Sequence, residues 1–297
     1  MNKQNILLIV NPVAGRKEAK RILYKIIDLL CRNEYKTIIF TTGQRGEATN
    51  IVVENAREVE KVICCGGDGT LNEVITGLNI IDSHIPVGYI PTGTTNDLAR
   101  ALKLPVKLNR AIETAICGKT REHDIGILNK DQCFSYVASF GAFTKVAYST
   151  PQWLKNMIGY AAYIFKGILS IGDIRSHVVK VVADGNEIEG DFIFGSVTNS
   201  TVIAGIIKLP EGEIHFDDGE FEVLLIRTPK SRKELKSIIH GLRHLRYDES
   251  HVHYFKAKEL TFTFEDSTSW TIDGEYAGAH KLVNIHNKSR SAQIVTH

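Results

Sequence analysis

Short apolar runs alternate with amphipathic stretches through residues 1–127 of the chain. The runs predict strands, and the stretches between them place apolar residues at the spacing of a helix. The predicted strands are 6–10, 36–40, 61–65 and 86–90, and the predicted helices are 17–31, 47–57, 71–79, 97–102 and 109–117. Because strands and helices alternate, we expect residues 1–127 to form an α/β domain with a largely parallel sheet, to which the C-terminal tail 287–297 returns.

The pattern changes after Asp124, where strand follows strand with few helical stretches between them. The dipeptide Asp184-Gly185 predicts a hairpin turn, and Ser231 with Glu234 three residues later predicts the start of one amphipathic helix. The predicted strands are 178–183, 192–198, 221–226, 260–264 and 269–272. We therefore expect residues 128–286 to form a mostly β, sandwich-like second domain.

Composition narrows the class of protein. Of the 297 residues, 43% are hydrophobic, which is enough for a buried core. The formal net charge is only +2 and no basic tract is interleaved with aromatic residues, so we expect no nucleic-acid partner. Five scattered cysteines without metal-ligand spacing indicate a reduced, cytosolic chain. No leader and no run of about 18 apolar residues occurs, so we expect neither a signal peptide nor a membrane-spanning helix.

A glycine-rich segment, Gly66-Gly67-Asp68-Gly69-Thr70, lies between a predicted strand and a predicted helix. A loop in this position presents backbone N–H groups to phosphate, and glycines permit positive φ and close approach of a ligand. Asp68, at the tip, is suited to hold a metal ion that bridges phosphates. The alternative is a tight strand-to-helix turn without a ligand.

Two further polar loops follow predicted strands in the same way. Residues 11–15 follow the first strand, and residues 91–97 follow the fourth. In an open parallel sheet, the loops at the carboxyl ends of the strands converge on one crevice. The three loops together predict a site for a nucleotide triphosphate.

Six motifs in order along the chain resemble the diacylglycerol kinase catalytic domain of bacterial lipid kinases, a family that includes sphingosine-kinase-like and ceramide-kinase-like enzymes. The motifs are Asn11-Pro12 with Gly15, residues 66–73, Gly93-Thr94 with Asn96-Asp97, His123-Asp124-Ile125-Gly126, Asp218-Gly219 with Phe221, and Asp273-Gly274-Glu275. The resemblance implies transfer of the γ-phosphoryl group of ATP, with Mg²⁺, to a hydroxyl of a diacylglycerol-like lipid. It also implies a cytoplasmic enzyme that binds the membrane surface peripherally and transiently; a homodimer is left open.

The resemblance also implies a set of residues that contact ATP. They are Asn11, Pro12, Val13, Ala14, Gly15, Thr42, Gly66, Gly67, Asp68, Gly69, Thr70, Leu71, Asn72, Glu73, Gly93, Thr94 and Asn96. For Thr42 and Asn72 alone, a turn or a cap is an equally good interpretation. A Walker-A lysine and a protein-kinase glycine loop are both missing from the sequence, so charge neutralisation is assigned to Mg²⁺ and backbone amides.

Two Mg²⁺ sites are implied by the resemblance. At the catalytic site Asp68 is the ligand, with Asp97 and Asp124 orienting its waters; Asp97 is otherwise a helix cap. At the structural site, Asp218 binds the ion with the main-chain carbonyls of His215 and Glu220. Glu220 binding through its carboxylate, or a plain acidic turn, are the alternatives there.

The proton acceptor is placed in the segment Asp273-Gly274-Glu275, which ends a predicted strand. We assign the catalytic base to Glu275, with Asp273 as the competing base, and expect the two side chains to project similarly if the strand continues. The alternative is that Asp-Gly simply forms a turn.

Two rival functions and two ambiguous segments are left open by the sequence. An NAD kinase-like enzyme would share the glycine loop, with the loop aspartate acting on the substrate hydroxyl, and a nucleotide-binding regulator would lack turnover. The motifs at residues 11–12 and 273–275 favour a lipid kinase over the NAD kinase-like enzyme, and the presence of Asp68, Asp97 and Glu275 disfavours a regulator without turnover. The basic face of the helix after Ser231 is either solvated or attracted to anionic lipid, and the apolar segment 151–170 is either a core helix or a wall of a lipid-entry cleft.

Overall fold

The computed structural model describes residues 4–14, 18–93, 96–105, 107–142, 175–203, 207–210 and 214–297. The predicted apolar segment 151–170 lies outside the described residues. Contacts divide the chain into two compact units, Met1–Ile125 with Ser289–His297 and Gly126–Lys288. Within the described residues, no helix is both long enough and apolar enough to cross a membrane.

The first unit alternates strands and helices along the chain. Its strands are β1 (Asn5–Val10), β2 (Lys36–Thr41), β3 (Lys61–Gly66), β4 (Val87–Pro91) and β5 (Lys119–Leu128), in which the unit ends. Its helices are α1 (Glu18–Arg32), α2 (Glu47–Asn55), α3 (Asp68–Ile80), α4 (Asp97–Ala101) and α5 (Leu108–Cys117), with a short 3₁₀ turn at Ala56–Glu58. The sheet order is β2-β1-β3-β4, and every one of these pairs is parallel.

Both faces of this sheet are buried, which explains the continuous apolar runs in its strands. Alternate strand residues pack against α1 and α5. The residues of that core cluster include Ile6, Leu8, Val10, Ile63 and Ile90 from the strands and Ile22, Ile26, Leu30, Ile112 and Ile116 from the helices. Leu7, Ile9, Val62 and Cys64 point the other way and are equally buried. Near the C-terminus, Ile294 and Val295 add a further parallel pairing to β4.

The second unit is built mainly of antiparallel strands. They are β6 (Gln132–Phe134), β7 (Val137–Gly141), β8 (His177–Ala183), β9 (Asn186–Thr198), β10 (Val202–Ile203), β11 (Ile207–Lys208), β12 (Phe221–Arg227), β13 (Val252–Ala257), β14 (Glu259–Ile272) and β15 (Glu275–Thr296), whose last residues belong to the first unit. One helix, α6 (Arg232–His244), is described in this unit.

Four strands of the second unit, β7, β8, β9 and β14, pair with one another in a closed circuit. β9 pairs with β8 through its first half and with β7 through its second half, and β14 pairs with the same two strands. β12 and β13 extend the sheet from β9. The circuit surrounds an aromatic core in which the Phe140 ring lies 4.9 Å from that of Phe264 and 5.1 Å from that of Trp270. The sheets expected from the alternating pattern thus take the form of one hydrogen-bonded circuit.

Local signals in this unit are confirmed in two places and wrong in one. Asp184 and Gly185 both have positive φ between β8 and β9, as a two-residue hairpin turn requires. The Ser231 hydroxyl accepts the backbone N–H of Glu234 at 3.1 Å and caps α6. The predicted strands 260–264 and 269–272, however, are one strand, β14, because a register shift between Thr263 and Thr268 accommodates the intervening polar residues.

Candidate active site

The three predicted loops lie side by side at the carboxyl ends of β1, β3 and β4. The N–H of Asn11 donates to the carbonyl of Cys65 at 2.9 Å, and the N–H of Thr92 donates to the carbonyl of Gly66 at 2.8 Å. These bonds continue the sheet into the loops, because the three strands are neighbours in the parallel order. Gly15 and Thr94, both expected in these loops, lie outside the described residues.

The glycines of the segment 66–70 allow neighbouring backbone and side-chain atoms to approach closely. The expectation that they adopt positive φ is wrong. None of Gly66, Gly67 and Gly69 has positive φ. Instead, a Cβ atom added to Gly93 would lie 2.6 Å from the Cα of Gly67, and one added to Gly66 would lie 2.6 Å from the Thr70 hydroxyl oxygen. The loops after β3 and β4 therefore touch through their backbones at Gly67 and Gly93.

Helix α3 begins at Asp68, three residues before its predicted start at 71, because Gly67 takes the N-cap position. The first intrahelical bond is the N–H of Leu71 donating to the carbonyl of Gly67 at 3.1 Å. Asp68, Gly69 and Thr70 thus form the first turn, whose N–H groups have no acceptor within the helix. Such a helix end carries partial positive charge and is suited to bind phosphate.

Asn11 connects the first loop to this helix. Its side-chain amide donates to the Thr70 hydroxyl at 3.1 Å, and its side-chain oxygen accepts the N–H of Val13 at 3.1 Å. Because a hydroxyl both accepts and donates, Thr70 keeps its own hydrogen for another acceptor. In the same loop Pro12 and Ala14 are half-buried, and Val13 is exposed.

Four other residues expected at the nucleotide lie partly or fully within the fold. The Glu73 carboxylate accepts the N–H groups of Gly46 at 2.8 Å and Ala48 at 3.1 Å, so it caps the N-terminus of α2. The N–H of Thr42 donates to the carbonyl of Val10 at 3.0 Å, and the Leu71 side chain is buried. Asn72 is half-buried on α3. The cap formed by Glu73 is a role that its sequence position does not reveal.

Asp68 connects the second loop to the third. Its Oδ2 accepts the N–H of Asp97 at 3.0 Å, and its Oδ1 lies 3.5 Å from the Tyr89 hydroxyl, which also lies 3.2 Å from Oδ1 of Asn96. Burial raises the pKa of Tyr89 well above its ordinary value, so the group stays a neutral phenol. Tyr89 is not predictable as a site residue from the sequence, because a tyrosine in an apolar strand has no distinguishing signal.

Asp97 is the first residue of α4 and not its cap. The N-cap position belongs to Asn96, which has φ of 47° and whose side-chain amide donates to the carbonyl of Gly93 at 3.0 Å. The left-handed conformation is one that asparagine tolerates better than most residues. The local turn thus places the N–H of Asp97 against the Asp68 carboxylate.

The residues assigned to the catalytic Mg²⁺ are Asp68, Asp97 and Asp124, and Asp124 has partners other than the first two. Asp124 is fully buried in β5, and its Oδ1 accepts the N–H of Arg290 at 2.7 Å. In the parts of the chain that the structure describes, no cluster of three or more Asp, Glu, His or Cys side chains is arranged to hold a metal ion. The assignment of Asp68, Asp97 and Asp124 to Mg²⁺ stays a prediction.

A lysine from β13, Lys256, forms an ion pair with the acidic turn at Asp218. Oδ1 of Asp218 accepts the N–H of Glu220 at 3.0 Å, and Oδ2 lies 2.8 Å from the Lys256 ammonium. The same ammonium lies 3.8 Å from the carboxylate of Glu222, which is fully buried, and burial raises the pKa of Glu222 to about 8. His215 is exposed. Lys256 lies 38 residues further along the chain than Asp218, so no local pattern predicts this pairing.

The segment 273–275 is a hairpin turn between β14 and β15. Asp273 and Gly274 have φ of 48° and 83°, and Ile272 pairs with Glu275 across the turn. The expectation that Asp273 and Glu275 project similarly is wrong, because the strand does not continue. Asp273 is buried, whereas Glu275 is exposed.

The Asp273 carboxylate accepts hydrogen bonds from three backbone N–H groups. Oδ2 accepts the N–H of Ser135 at 2.7 Å, and Oδ1 accepts the N–H groups of Tyr136 and Val137 at 3.1 Å each. A carboxylate that accepts three N–H groups is stabilised as the anion and is a poor proton acceptor. Of the two carboxylates, Glu275 is the one that faces solvent.

Known proteins of one family are similar to this chain over most of its length. The sequence profile of the diacylglycerol kinase catalytic domain matches residues 5–128. Diacylglycerol kinase of Bacillus subtilis (strain 168) is 33% identical over 284 residues, which cover 94% of this chain and 93% of that protein. Diacylglycerol kinase of Staphylococcus epidermidis (strain ATCC 12228 / FDA PCI 1200) is 34% identical over 298 residues, covering 97% and 91%.

Solved structures agree on the fold. A crystal structure of a diacylglycerol kinase from Bacillus anthracis str. Sterne has a TM-score of 0.76 at 23% identity, covering 100% of this chain and 98% of that chain. Another structure from the same organism has a TM-score of 0.84, also at 23% identity, covering 100% and 96%. The profile match, the identity to the curated relatives and the shared fold together show that this chain belongs to the diacylglycerol kinase family and is a lipid kinase.

Proposed function

We propose that this lipid kinase transfers the γ-phosphoryl group of ATP to the free hydroxyl of a diacylglycerol-like lipid, with Mg²⁺, at the surface of a membrane. The observation that carries the proposal is the N-terminus of α3. There Gly67 and Gly93 let the loops after β3 and β4 approach each other closely, and Asp68 places a carboxylate beside the first helical turn. The names of the curated relatives support the lipid acceptor.

The nucleotide end of the reaction belongs to the first unit. The first turn of α3 would hold the phosphates through backbone N–H groups and the Thr70 hydroxyl. The Asp68 carboxylate fits Mg²⁺, because it offers hard oxygen atoms at this helix end. Asp97 and Asp124 would orient the water ligands. Mg²⁺, when bound, would neutralise the charge on the β- and γ-phosphates.

The acceptor end belongs to the second unit. Glu275 would take the proton from the lipid hydroxyl as that oxygen attacks the γ-phosphorus, because it is the exposed carboxylate of the hairpin. The bond between the γ-phosphorus and the bridging oxygen would break, and ADP would leave. Asp273 would act on the reaction only through the fold, by holding the backbone at residues 135–137. Asp218, with the carbonyls of His215 and Glu220, would hold a second Mg²⁺ that stabilises the acidic turn, and this ion would take the place that the Lys256 ammonium now occupies 2.8 Å from Asp218 Oδ2.

The proposal places the protein in the cytoplasm, where it would meet its lipid substrate by transient contact with the bilayer surface. A diacylglycerol has two acyl chains and stays in the membrane, so the enzyme must come to it.

The molecule that receives the phosphoryl group distinguishes a diacylglycerol kinase from an NAD kinase. Purified protein would be incubated with γ-labelled ATP, Mg²⁺ and one acceptor at a time: a diacylglycerol, a ceramide or a sphingosine in nonionic detergent micelles, or NAD in solution. We expect label in the diacylglycerol product and none in NADP. Label in NADP alone would identify an NAD kinase, and no transfer to any acceptor would leave a nucleotide-binding regulator.

A further inference from the structure

One face of α6 is basic and exposed to solvent. At 3.6 residues per turn, its charged and histidine side chains fall within an arc of roughly 120°. This basic arc consists of Arg232, Lys233, Lys236, His240, Arg243 and His244. Leu235, Ile238 and Leu242 are buried on the opposite side of the helix.

None of the six residues of the basic arc is acidic. Glu234 is the one acidic residue of α6, and it falls outside the arc, where its carboxylate accepts the N–H of Lys230 at 2.7 Å. Within the described part of the chain, Arg232, Lys233 and Lys236 form no ion pair. Arg232 and Lys236 are four positions apart, a spacing at which like charges destabilise a helix. The folded protein gains nothing from this repulsion, which points to an external anionic partner.

An exposed apolar side chain stands at the end of the basic arc. Leu245 is the C-cap of α6 in the left-handed conformation, with φ of 53°, and is 43% exposed. Glycine is the residue that usually adopts this conformation at a helix end. Leucine here projects an apolar group into solvent, directly before the exposed Arg246. Cations beside a solvent-facing leucine are typical of a surface that binds at the lipid–water interface.

A bilayer fits these features better than nucleic acid does. The arc carries no Phe, Tyr, Trp, Asn or Gln side chain; its two aromatic rings, those of His240 and His244, pack against each other with centroids 4.3 Å apart. The whole chain has a net charge of only +2. Clusters of lysine and arginine next to an apolar residue bind anionic lipid headgroups through both electrostatic attraction and burial of the apolar group.

We propose that the basic arc, with Leu245 and Arg246, is the surface by which this protein docks on an anionic lipid bilayer. The proposal rests on the proposed function, since a bilayer-bound acceptor is what such docking would reach. It concerns a surface separate in sequence from the nucleotide loops and from Glu275.

The test compares two variants that lose the same charge. In the arc variant, Arg232, Lys233 and Lys236 become glutamine. In the control variant, Lys130, Lys258 and Lys281, which are exposed lysines of the same unit outside α6, become glutamine. Binding is measured by cosedimentation with vesicles of phosphatidylcholine mixed with phosphatidylglycerol, and with vesicles of phosphatidylcholine alone. Melting curves establish that both variants are folded.

Each basic residue near an anionic surface contributes roughly fivefold to binding, so the arc variant should bind the anionic vesicles about 100-fold more weakly than the wild type. The control variant should bind within a few-fold of the wild type, and pure phosphatidylcholine should bind neither. A third variant, Leu245→Ser, should weaken binding to anionic vesicles without any change of charge.

Binding of each variant to duplex DNA is measured in parallel. Three results would overturn the docking surface: failure of the wild type to bind anionic vesicles, equal loss of vesicle binding in the arc and control variants, or an arc variant that loses DNA binding and keeps vesicle binding. The proposed function is judged separately, in neutral detergent micelles, where no charged surface is present. There the arc variant should phosphorylate diacylglycerol at the wild-type rate. Absence of lipid phosphorylation by the wild type in micelles would refute the function and leave the vesicle result standing.

Discussion

Replacing Asp273 by asparagine should destabilise the protein by about 3 kcal/mol, because its carboxylate accepts three backbone N–H groups in a buried turn. Asparagine has one side-chain oxygen, so its NH₂ group must face a donor that the carboxylate now satisfies. Ser135, Tyr136 and Val137 are all buried, and water cannot replace the lost acceptor. An unsatisfied buried donor costs about 1–3 kcal/mol, and weakening of the bonds that had a charged acceptor adds to this.

Urea denaturation near neutral pH, followed by circular dichroism, measures this loss. With a slope of about 2 kcal/mol per molar urea, the midpoint should fall by roughly 1.5 M. Glu275→Gln is the matched control, since Glu275 is exposed at the other end of the same turn and its replacement should change stability by less than about 0.5 kcal/mol. If Asp273→Asn unfolds at the wild-type urea concentration yet loses lipid phosphorylation, Asp273 is the base and the structural role argued for it is refuted.

Four further outcomes follow from the site. Asp68→Asn should lower turnover by about 100-fold or more while the variant stays folded by its melting curve, and normal turnover would remove its role at the phosphates. Glu275→Gln should abolish lipid phosphorylation but leave the calorimetric affinity for ATP close to the wild type; retained turnover would place the base elsewhere. Mg²⁺ should raise the melting temperature of the wild type more than that of Asp218→Ala, and identical curves with and without Mg²⁺ would count against a structural ion. Gly93→Ala should weaken ATP binding and cost about 1–3 kcal/mol of stability, because its Cβ would overlap the Gly67 backbone; unchanged binding and stability would show that the loops can separate.

The order of elements in the first unit was predictable because its sheet is buried on both faces. Runs such as Ile6–Val10 and Val62–Cys65 are then apolar at every position, and the helices between them show their own spacing. The same strand ends identified the three loops. The start of α3 was less accessible, because Asp68 and Gly69 are poor markers of a helix and the N-cap is Gly67.

The rest of the site is formed by contacts between residues that are distant in sequence. The spacing of apolar residues along the chain does not predict such contacts. Glu73 caps a helix that begins 26 residues before it, Tyr89 reaches Asp68 from the neighbouring strand, and Lys256 reaches Asp218 from β13. The Asp273-Gly274 turn was recognisable as a dipeptide, but the three donors to its carboxylate come from residues 135–137. Pattern alone therefore identifies which segments carry chemistry and leaves open which carboxylates are already engaged in the fold.

Attack of the lipid hydroxyl on the γ-phosphorus of ATP can be followed with an isotope. Diacylglycerol whose free hydroxyl carries a heavy oxygen is incubated with the protein, Mg²⁺ and ATP labelled in its γ-phosphate. Mass spectrometry of the phosphorylated lipid should find the heavy oxygen in the bridge between carbon and phosphorus, together with the labelled phosphate. A product that lacks the heavy oxygen, or ATP consumption without a phosphorylated lipid, would contradict the account.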